Sequence, residues 1–391
     1  MSKKILVRGP ALSRSGYGEH CRTVLRALRS EDENDIYLLN VGWGVSGWLC
    51  EDNEERQWID SLIVKTAKAI QSGERDFDTS IQVQLPSEWQ PLCKNNIGVT
   101  AGVETTKAPD DWSVACNNVS RVIVPSEHSR KCFSEEVRNK IDVVNFPARN
   151  HKEEKINFEK DINTKFNFLT VAQWNPRKNL EQTIAAFLSE FQNEDVGLIV
   201  KAGISGGSKI DRQETLNRIQ GLLSLAEENR KCKIYLLHGS LSDAEMSSLY
   251  KNKKVSAYVT TSHGEGFGLP VFEAAQNALP VIAANWGGLK EFSNNMFVEV
   301  DYKEEELQEH HVWNGVLEEG TSWCYPDMGS FRKRMREVYT NYSEYKKRAR
   351  KLRKHIVDNF TEQEIYIRYN NIINEVIGSE QNTEGENNET E

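Results

Sequence analysis

Strand-like apolar runs alternate with helix-like segments from the first residues of this chain, and the alternation narrows its architecture to a mostly parallel sheet with helices on both faces. In the first half the strand-like runs fall at 4–8, 36–41, 81–85, 97–102, 119–124 and 141–144. A helix over 17–28 carries Val24, Leu25 and Leu28 on one stripe. The stretch 149–165 (RNHKEEKINFEKDINTK) is polar and charged and reads as an interdomain linker. A second series follows, with strands at 166–172, 196–202, 234–238, 255–261 and 280–284 and helices at 180–191 and 270–278. Ser242 and Glu245 form the capping box of a further helix that ends near Tyr250. A chain of 391 residues exceeds one ordinary core, so two domains are expected, at 1–150 and 165–355.

Composition removes several classes of function. No apolar run approaches the roughly 18 residues of a membrane-spanning helix. The opening MSKKILVRG runs into a strand without the apolar core and cleavage site of a secretory signal. Seven cysteines, odd in number and without a CxxC pair, suit reduced thiols, so a cytoplasmic location without structural disulfides is expected. A net charge of −9 argues against nonspecific nucleic-acid binding over the whole surface. The eight histidines show no metal-ligand spacing, and no metal or other cofactor is expected.

The most informative segment is SHGEGFGLPVFEAAQNALPVIAANWGG, 262–288. Gly264, Gly266 and Gly268 follow a strand and allow backbone amides to approach a ligand closely. Pro270 then suits the first turn of a helix, with φ already set and no amide to orphan. A helix start of this kind at the carboxyl edge of a parallel sheet is an anion site, and a diphosphate fits it. Two carboxylates, Glu265 and Glu273, bracket the turn. Beside a phosphate they are repelled unless they face hydroxyls, which makes sugar and ribose hydroxyls their natural partners.

These residues carry a resemblance. Glu265 and Glu273, with seven residues between them in GEGFGLPVFEA and followed by ALPVIA, look like the signature of the family 4 retaining glycosyltransferases. The resemblance implies the GT-B architecture, two Rossmann-like α/β domains facing across a cleft, with a C-terminal helix, 356–378, returning to the N-terminal domain. It assigns donor-sugar contact to Glu265, ribose contact to Glu273, and donor binding through backbone groups of Gly266, Phe267, Gly268 and Leu269. QWNPRKN (173–179) resembles the family loop whose Arg and Lys neutralise the diphosphate: Lys178 takes the Lys position, Gln173 stands where many members have Arg, and Arg177 is the substitute at hand. RSGYGEHCR (14–22) resembles the glycine turn after the first strand, with Gly16 at the second Gly position and Ser15 at the first. As a dinucleotide fingerprint this turn is incomplete, since Cys21 stands where a third Gly or Ala belongs. Glu104, with Pro109 after it, resembles an acceptor-side acid of some members; the alternative is a surface-loop acid.

The implied activity is transfer of a hexose from a nucleoside-diphosphate sugar to an acceptor hydroxyl with retained configuration and no metal. Lys178, Arg177, Glu265 and Glu104 are its candidate catalytic residues. The alternatives are a catalytically inactive nucleotide-sugar or glycan binder on the same scaffold, or a nucleotide-sugar epimerase. The acceptor stays open among glycan, lipid-linked sugar, protein and modified nucleic acid. Residues 331–356 read as one long helix with eleven Lys or Arg residues, either a solvated face or a landing strip for an anionic surface. Residues 379–391 hold five Glu and no base, and a disordered tail is expected there.

Overall fold

The computed structural model describes the backbone of residues 3–388 except 75, 153, 155 and 157, and the side chains of these residues up to 378 except 159. The chain divides into two compact units, Met1–Pro147 with Phe360–Glu391, and Ala148–Asn359.

In the first unit the order is β1 (Lys3–Gly9), α1 (Gly16–Arg29), β2 (Asn34–Asn40), α2 (Glu54–Gln71), β3 (Thr79–Val83), β4 (Asn95–Val99), α3 (Asp110–Ala115), β5 (Arg121–Val124), α4 (Glu127–Cys132) and β6 (Ile141–Val143). The strands form one parallel sheet in the order β2-β1-β3-β4-β5-β6. Its core joins Ile5 and Val7 of β1 to Val24, Leu25 and Leu28 of α1, so the stripe legible in the sequence is the buried face. Helix α2 has no strong stripe, burying only Ile59, Leu62 and Thr66. Thr66 Oγ1 instead accepts the Leu38 amide at 2.7 Å, tying the helix to β2 by a hydrogen bond.

The second unit runs β7 (Phe166–Gln173), α5 (Leu180–Phe191), β8 (Val196–Gly203), α6 (Lys209–Ser224), β9 (Lys233–Leu237), α7 (Asp243–Lys251), β10 (Ala257–Val259), α8 (Leu269–Gln276), β11 (Val281–Ala283), α9 (Lys290–Ser293), β12 (Val298–Glu299), β13 (Tyr302–Glu306), β14 (Ser322–Pro326), α10 (Met328–Thr340) and α11 (Tyr342–Asn359). The sheet is parallel in the order β12-β11-β10-β7-β8-β9. Counted from its own first strand this is the doubly wound order 3-2-1-4-5-6, whose direction reverses between β7 and β10. The capping box of α7 is present, Ser242 and Glu245 each accepting the other's backbone amide. Strands β13 and β14 form a separate antiparallel pair. It had no counterpart in the sequence reading, because Tyr302–Glu306 (YKEEE) is exposed throughout and shows no apolar alternation.

The single basic helix expected at 331–356 is two helices. Asn341 ends α10 with a non-helical φ of −113°, and its amide caps onto the Glu337 carbonyl. The closing helix expected from 356 begins later, as α12 (Glu362–Asn388), because residues 356–359 complete α11 and Thr361 Oγ1 accepts the Glu364 amide at 3.2 Å as an N-cap. Helix α12 packs Ile365, Tyr369, Ile373 and Val376 into the core of the first unit. The tail at 379–391 lies outside the described side chains. No helix among the described residues is long and apolar enough to cross a membrane.

The junction of α1 with α12 is acid-sensitive by construction. His20 is buried, its Nε2 is 2.9 Å from the Tyr369 hydroxyl, and burial pushes its pKa down to about 3 against a weaker upward pull from Glu19. A depressed histidine contributes stability that is present above the ordinary value near 6.5 and is lost as pH falls toward the folded value. Going from pH 7 to 5 is expected to cost about 2 kcal/mol through this group. Denaturant melts of His20→Gln should show a correspondingly shallower decline over that interval; an unchanged decline refutes the assignment.

Candidate functional site

All strands of the second sheet point the same way, so the loops leaving β7 and β10 emerge side by side at its carboxyl edge, at the point where the strand order reverses. The first loop is a single 3-10 turn, Pro176–Lys178, opened by Asn175, whose side chain accepts the Lys178 amide, and closed by Asn179 in the left-handed region at φ 50°. The second loop holds the glycines. Hydrogen bonds lock the two together: the His263 amide donates to the Arg177 carbonyl at 2.8 Å, Thr261 Oγ1 to the Asn179 carbonyl at 2.9 Å, and Asn179 Nδ2 to the Thr261 carbonyl at 3.3 Å.

Lys178 and Glu265 meet there. The Lys178 ammonium lies 2.6 and 2.7 Å from the two Glu265 oxygens. Arg177 reaches the same carboxylate at 3.4 Å and donates to the Gly264 carbonyl at 2.6 Å. Glu265 is 8% exposed. Burial pulls its pKa up, but Lys178 and Arg177 outweigh that effect and hold the carboxyl below its ordinary range. Both cations thus converge on the one Glu265 carboxylate.

Beside this cluster starts α8. Gly268 has φ 93°, a backbone conformation that favours glycine, and a Cβ on it would also come 2.3 Å from Leu289 Cδ2. Pro270 is the second residue of the helix. The amides of Val271 and Phe272 turn back to the Gly268 carbonyl, while those of Gly268 and Leu269 find no acceptor among the described residues. Phe267 buries its ring against Phe272 and Phe292, leaving only its backbone for any ligand. A Cβ at Gly288 would lie 2.1 Å from the Gly266 carbonyl, and the Gly288 amide donates to the Glu265 carbonyl at 2.8 Å. The glycine pair 287–288 thus backs the donor-loop candidate from behind.

Glu273 lies one turn into α8 and accepts from the buried Tyr250 hydroxyl of α7 at 2.9 Å. Tyr258 of β10 is buried, and its phenol pKa is raised by burial first and then by both Glu265 and Glu273. The second unit therefore brings together Lys178, Arg177, Glu265, the Gly266–Leu269 backbone and Glu273. Gln173 is turned aside, its amide donating to the Ile204 carbonyl of the loop after β8. Gly16 and Glu104 belong to the first unit. Gly16 opens α1, with Ser15 Oγ accepting the Gly18 amide at 3.0 Å. A Cβ at Gly16 would meet nothing within 4 Å, whereas one at Gly18 would lie 1.9 Å from the Ser13 carbonyl. The glycine demanded by the protein's own packing is thus Gly18. Glu104 sits half-buried in the loop after β4.

Several supporting residues escaped the sequence reading. The His263 ring stacks on Trp323 at 4.6 Å and 11°, its Nδ1 lies 2.7 Å from the Cys324 carbonyl, and the Cys324 amide donates back to the His263 carbonyl at 2.9 Å. Burial lowers the His263 pKa to about 4, so the ring is neutral near pH 7. The β13–β14 pair is thereby bolted to the residue two before Glu265. Asp211 organises the loop after β8 by accepting the amides of Ile204, Ser205 and Gly207 and lying 3.1 Å from His238 Nε2. The His263 contacts carry no local signal, because their partners lie about 60 residues away. His310 and His311 occupy a short 3-10 turn, and no group of three or more metal-ligating side chains occurs among the described residues.

Known proteins resemble this chain in part of its sequence and in its fold. The family model for glycosyl transferases group 1 matches residues 152–310. The serotype-specific mannosyltransferase WbdA of Escherichia coli is 33% identical over 132 residues, which is 32% of this chain; the chain spans 14% of the length of that relative. Three solved structures share the fold: a glycosyltransferase from Rickettsia africae (15% identity, 96% of this chain, 99% of that one, TM-score 0.61), the sucrose-phosphate synthase of Thermosynechococcus elongatus (14%, 96%, 100%, 0.62) and Anabaena HepE in complex with UDP and glucose (15%, 95%, 99%, 0.61). The matched residues include the second unit's loops that hold Lys178 and Glu265, so residues 152–310 resemble a glycosyl transferases group 1 domain within a fold of two parallel-sheet α/β units.

Proposed function

We propose that the chain moves a hexose from a nucleoside-diphosphate sugar to an acceptor hydroxyl with retention at the anomeric carbon. The observation that carries this reading is the meeting of Lys178, Arg177 and Glu265 beside the start of α8, where the amides of Gly268 and Leu269 find no acceptor among the described residues. Amides and a helix dipole at that position favour an anion, and a leaving nucleoside diphosphate gains negative charge as the glycosidic bond breaks. Glu265 and Glu273 then face hydroxyls of the donor sugar and ribose, while Lys178 and Arg177 face the diphosphate. That UDP and glucose lie in the complex of Anabaena HepE, a protein of the same fold, supports a nucleotide-sugar donor.

In the proposed step the acceptor oxygen bonds to the anomeric carbon on the face from which the diphosphate departs. The bond to the diphosphate oxygen breaks, and the acceptor proton passes to that oxygen or to water. Products are the glycoside and the nucleoside diphosphate. The chain supplies charge stabilisation, so turnover is expected to survive EDTA. Gly16 and Glu104 are proposed as a donor contact and an acceptor-side acid, each to be tested by its own substitution. A cytoplasmic setting is supported by seven free cysteines.

A panel of nucleotide sugars, read by thermal shift and by released nucleoside diphosphate, tests the reading: one donor should both stabilise the protein and be consumed. A melting shift with no turnover on any acceptor offered would instead establish a binder, and a donor converted into its stereoisomer an epimerase. Lys178→Ala is expected to lower kcat by roughly 10² to 10³, or about 3 to 4 kcal/mol, on a folded protein. Near-normal turnover in that variant rules out its assigned role.

Because two cations hold the Glu265 carboxyl low, the acid limb of kcat/KM should lie below the ordinary carboxylate value. Removing one of them by Arg177→Ala raises that carboxyl, and the limb should move to higher pH. A limb that stays in place means either that Glu265 is not the titrating group or that Arg177 does not act on it.

A further inference from the structure

Helices α10 and α11 use their many bases in opposite ways. In α10, Arg332 and Arg336 pair with Glu190, Arg336 also with Glu194, and Arg334 with Glu337, so its charges are absorbed by the fold. In α11, Lys347, Arg350, Lys351 and Lys354 are all exposed. Spacings of three, four and seven residues put them on one arc roughly 100° wide and about 10 Å long. Only Lys354 meets a carboxylate, that of Asp358 at 2.6 Å; among the described residues Lys347, Arg350, Lys351 and the flanking exposed Arg353 have no acidic partner. Like charges at such spacings oppose a helix, so the fold gains nothing from collecting them. On a chain of net charge −9 the arc is a local exception.

We propose that this arc of α11 is a peripheral docking face for an anionic lipid bilayer. Charge complementarity names the class, since four bases on one helix face match a headgroup layer. A bilayer touches a single face, and on this one the four bases outnumber the exposed acids of α11, Asp358 and Glu344. Val357, 46% exposed at the margin of the arc, offers apolar contact of a kind that the interfacial region accepts. A single-stranded nucleic acid is disfavoured, because Tyr342 and Tyr345, the aromatic residues of α11, are half-buried rather than presented for base stacking. Burial, with Arg350 nearby, lowers the Lys346 pKa, a further sign that positive charge is concentrated here. The proposal stands independently of which sugar is transferred.

Flotation of the full chain with vesicles tests it. Phosphatidylcholine vesicles containing phosphatidylglycerol should bind the protein, and pure phosphatidylcholine vesicles should not. The variant with Lys347→Gln, Arg350→Gln, Lys351→Gln and Lys354→Gln should lose at least about tenfold in partitioning at an unchanged melting midpoint. A control with equal charge change, Lys209→Gln, Lys231→Gln, Lys233→Gln and Lys303→Gln, should bind as the wild type does. Should the α11 variant unfold, the salt titration of the wild type decides, as partitioning must fall with rising salt. Equal binding to neutral vesicles, retained binding by the α11 variant, an equal loss in the control, insensitivity to salt, or tighter binding to an RNA duplex than to anionic vesicles at the same salt would each overturn the proposal.

Discussion

The contact between Lys178 and Glu265 is the constraint around which the second unit is arranged. The partners are 87 residues apart in sequence and 2.6 Å apart in space. A carboxylate as buried as Glu265 is costly alone; removing one partner of such a pair typically destabilises by about 3 to 5 kcal/mol, because a buried charge is left uncompensated. The backbone bonds between the Asn175–Asn179 turn and the Thr261–His263 segment hold the pair in register. Neither loop is free to relax without exposing the other's charge.

Topology makes the contact available. In a 3-2-1-4-5-6 sheet the first and fourth strands are neighbours whose crossovers run to opposite sides, so no helix covers the carboxyl edge between them and their loops can meet there. Strands β7 and β10 are that pair. Each loop then contributes a different element: the β7 loop gives cations on a 3-10 turn, and the β10 loop gives a carboxylate and a glycine-bounded helix start. Lys178, Arg177 and the α8 amides lie at one edge and are fixed before any ligand arrives. Preorganisation of this kind avoids reorganising dipoles during reaction.

Much of this was legible in the sequence, and the reason is locality. The α/β alternation, the α7 capping box and the α5 boundaries rest on patterns a few residues long, and the structure reproduces them. Glu265, Gly268 and Pro270 lie within six residues, so their joint purpose could be read from one turn. Helix α2 was missed because it docks through Thr66 and a thin apolar face rather than a stripe. The two-helix break at Asn341 was missed because the two runs of bases, 332–336 and 346–354, read as one charged face and concealed a change in what the charges do. Gly16 and Gly18 looked alike in the sequence, yet only the carbonyl of Ser13 decides which of them cannot carry a side chain.

What stayed hidden is the scaffolding behind the loops. His263 lies next to the glycines in sequence, but its stacking partner Trp323 and hydrogen-bond partner Cys324 come from a hairpin about 60 residues later, with no periodicity to announce it. The physical consequence is a division of labour within the β10 loop. The glycines supply close approach, which by itself would leave the loop soft, since glycine has the most conformational freedom to lose. The His263–Trp323 stack, the two backbone hydrogen bonds with Arg177 and Cys324, and the Gly288 amide on the Glu265 carbonyl restore the rigidity. A loop built from three glycines can therefore hold a buried carboxylate within hydrogen-bonding distance of a lysine on another strand's loop, because its stiffness comes from neighbours rather than from its own residues.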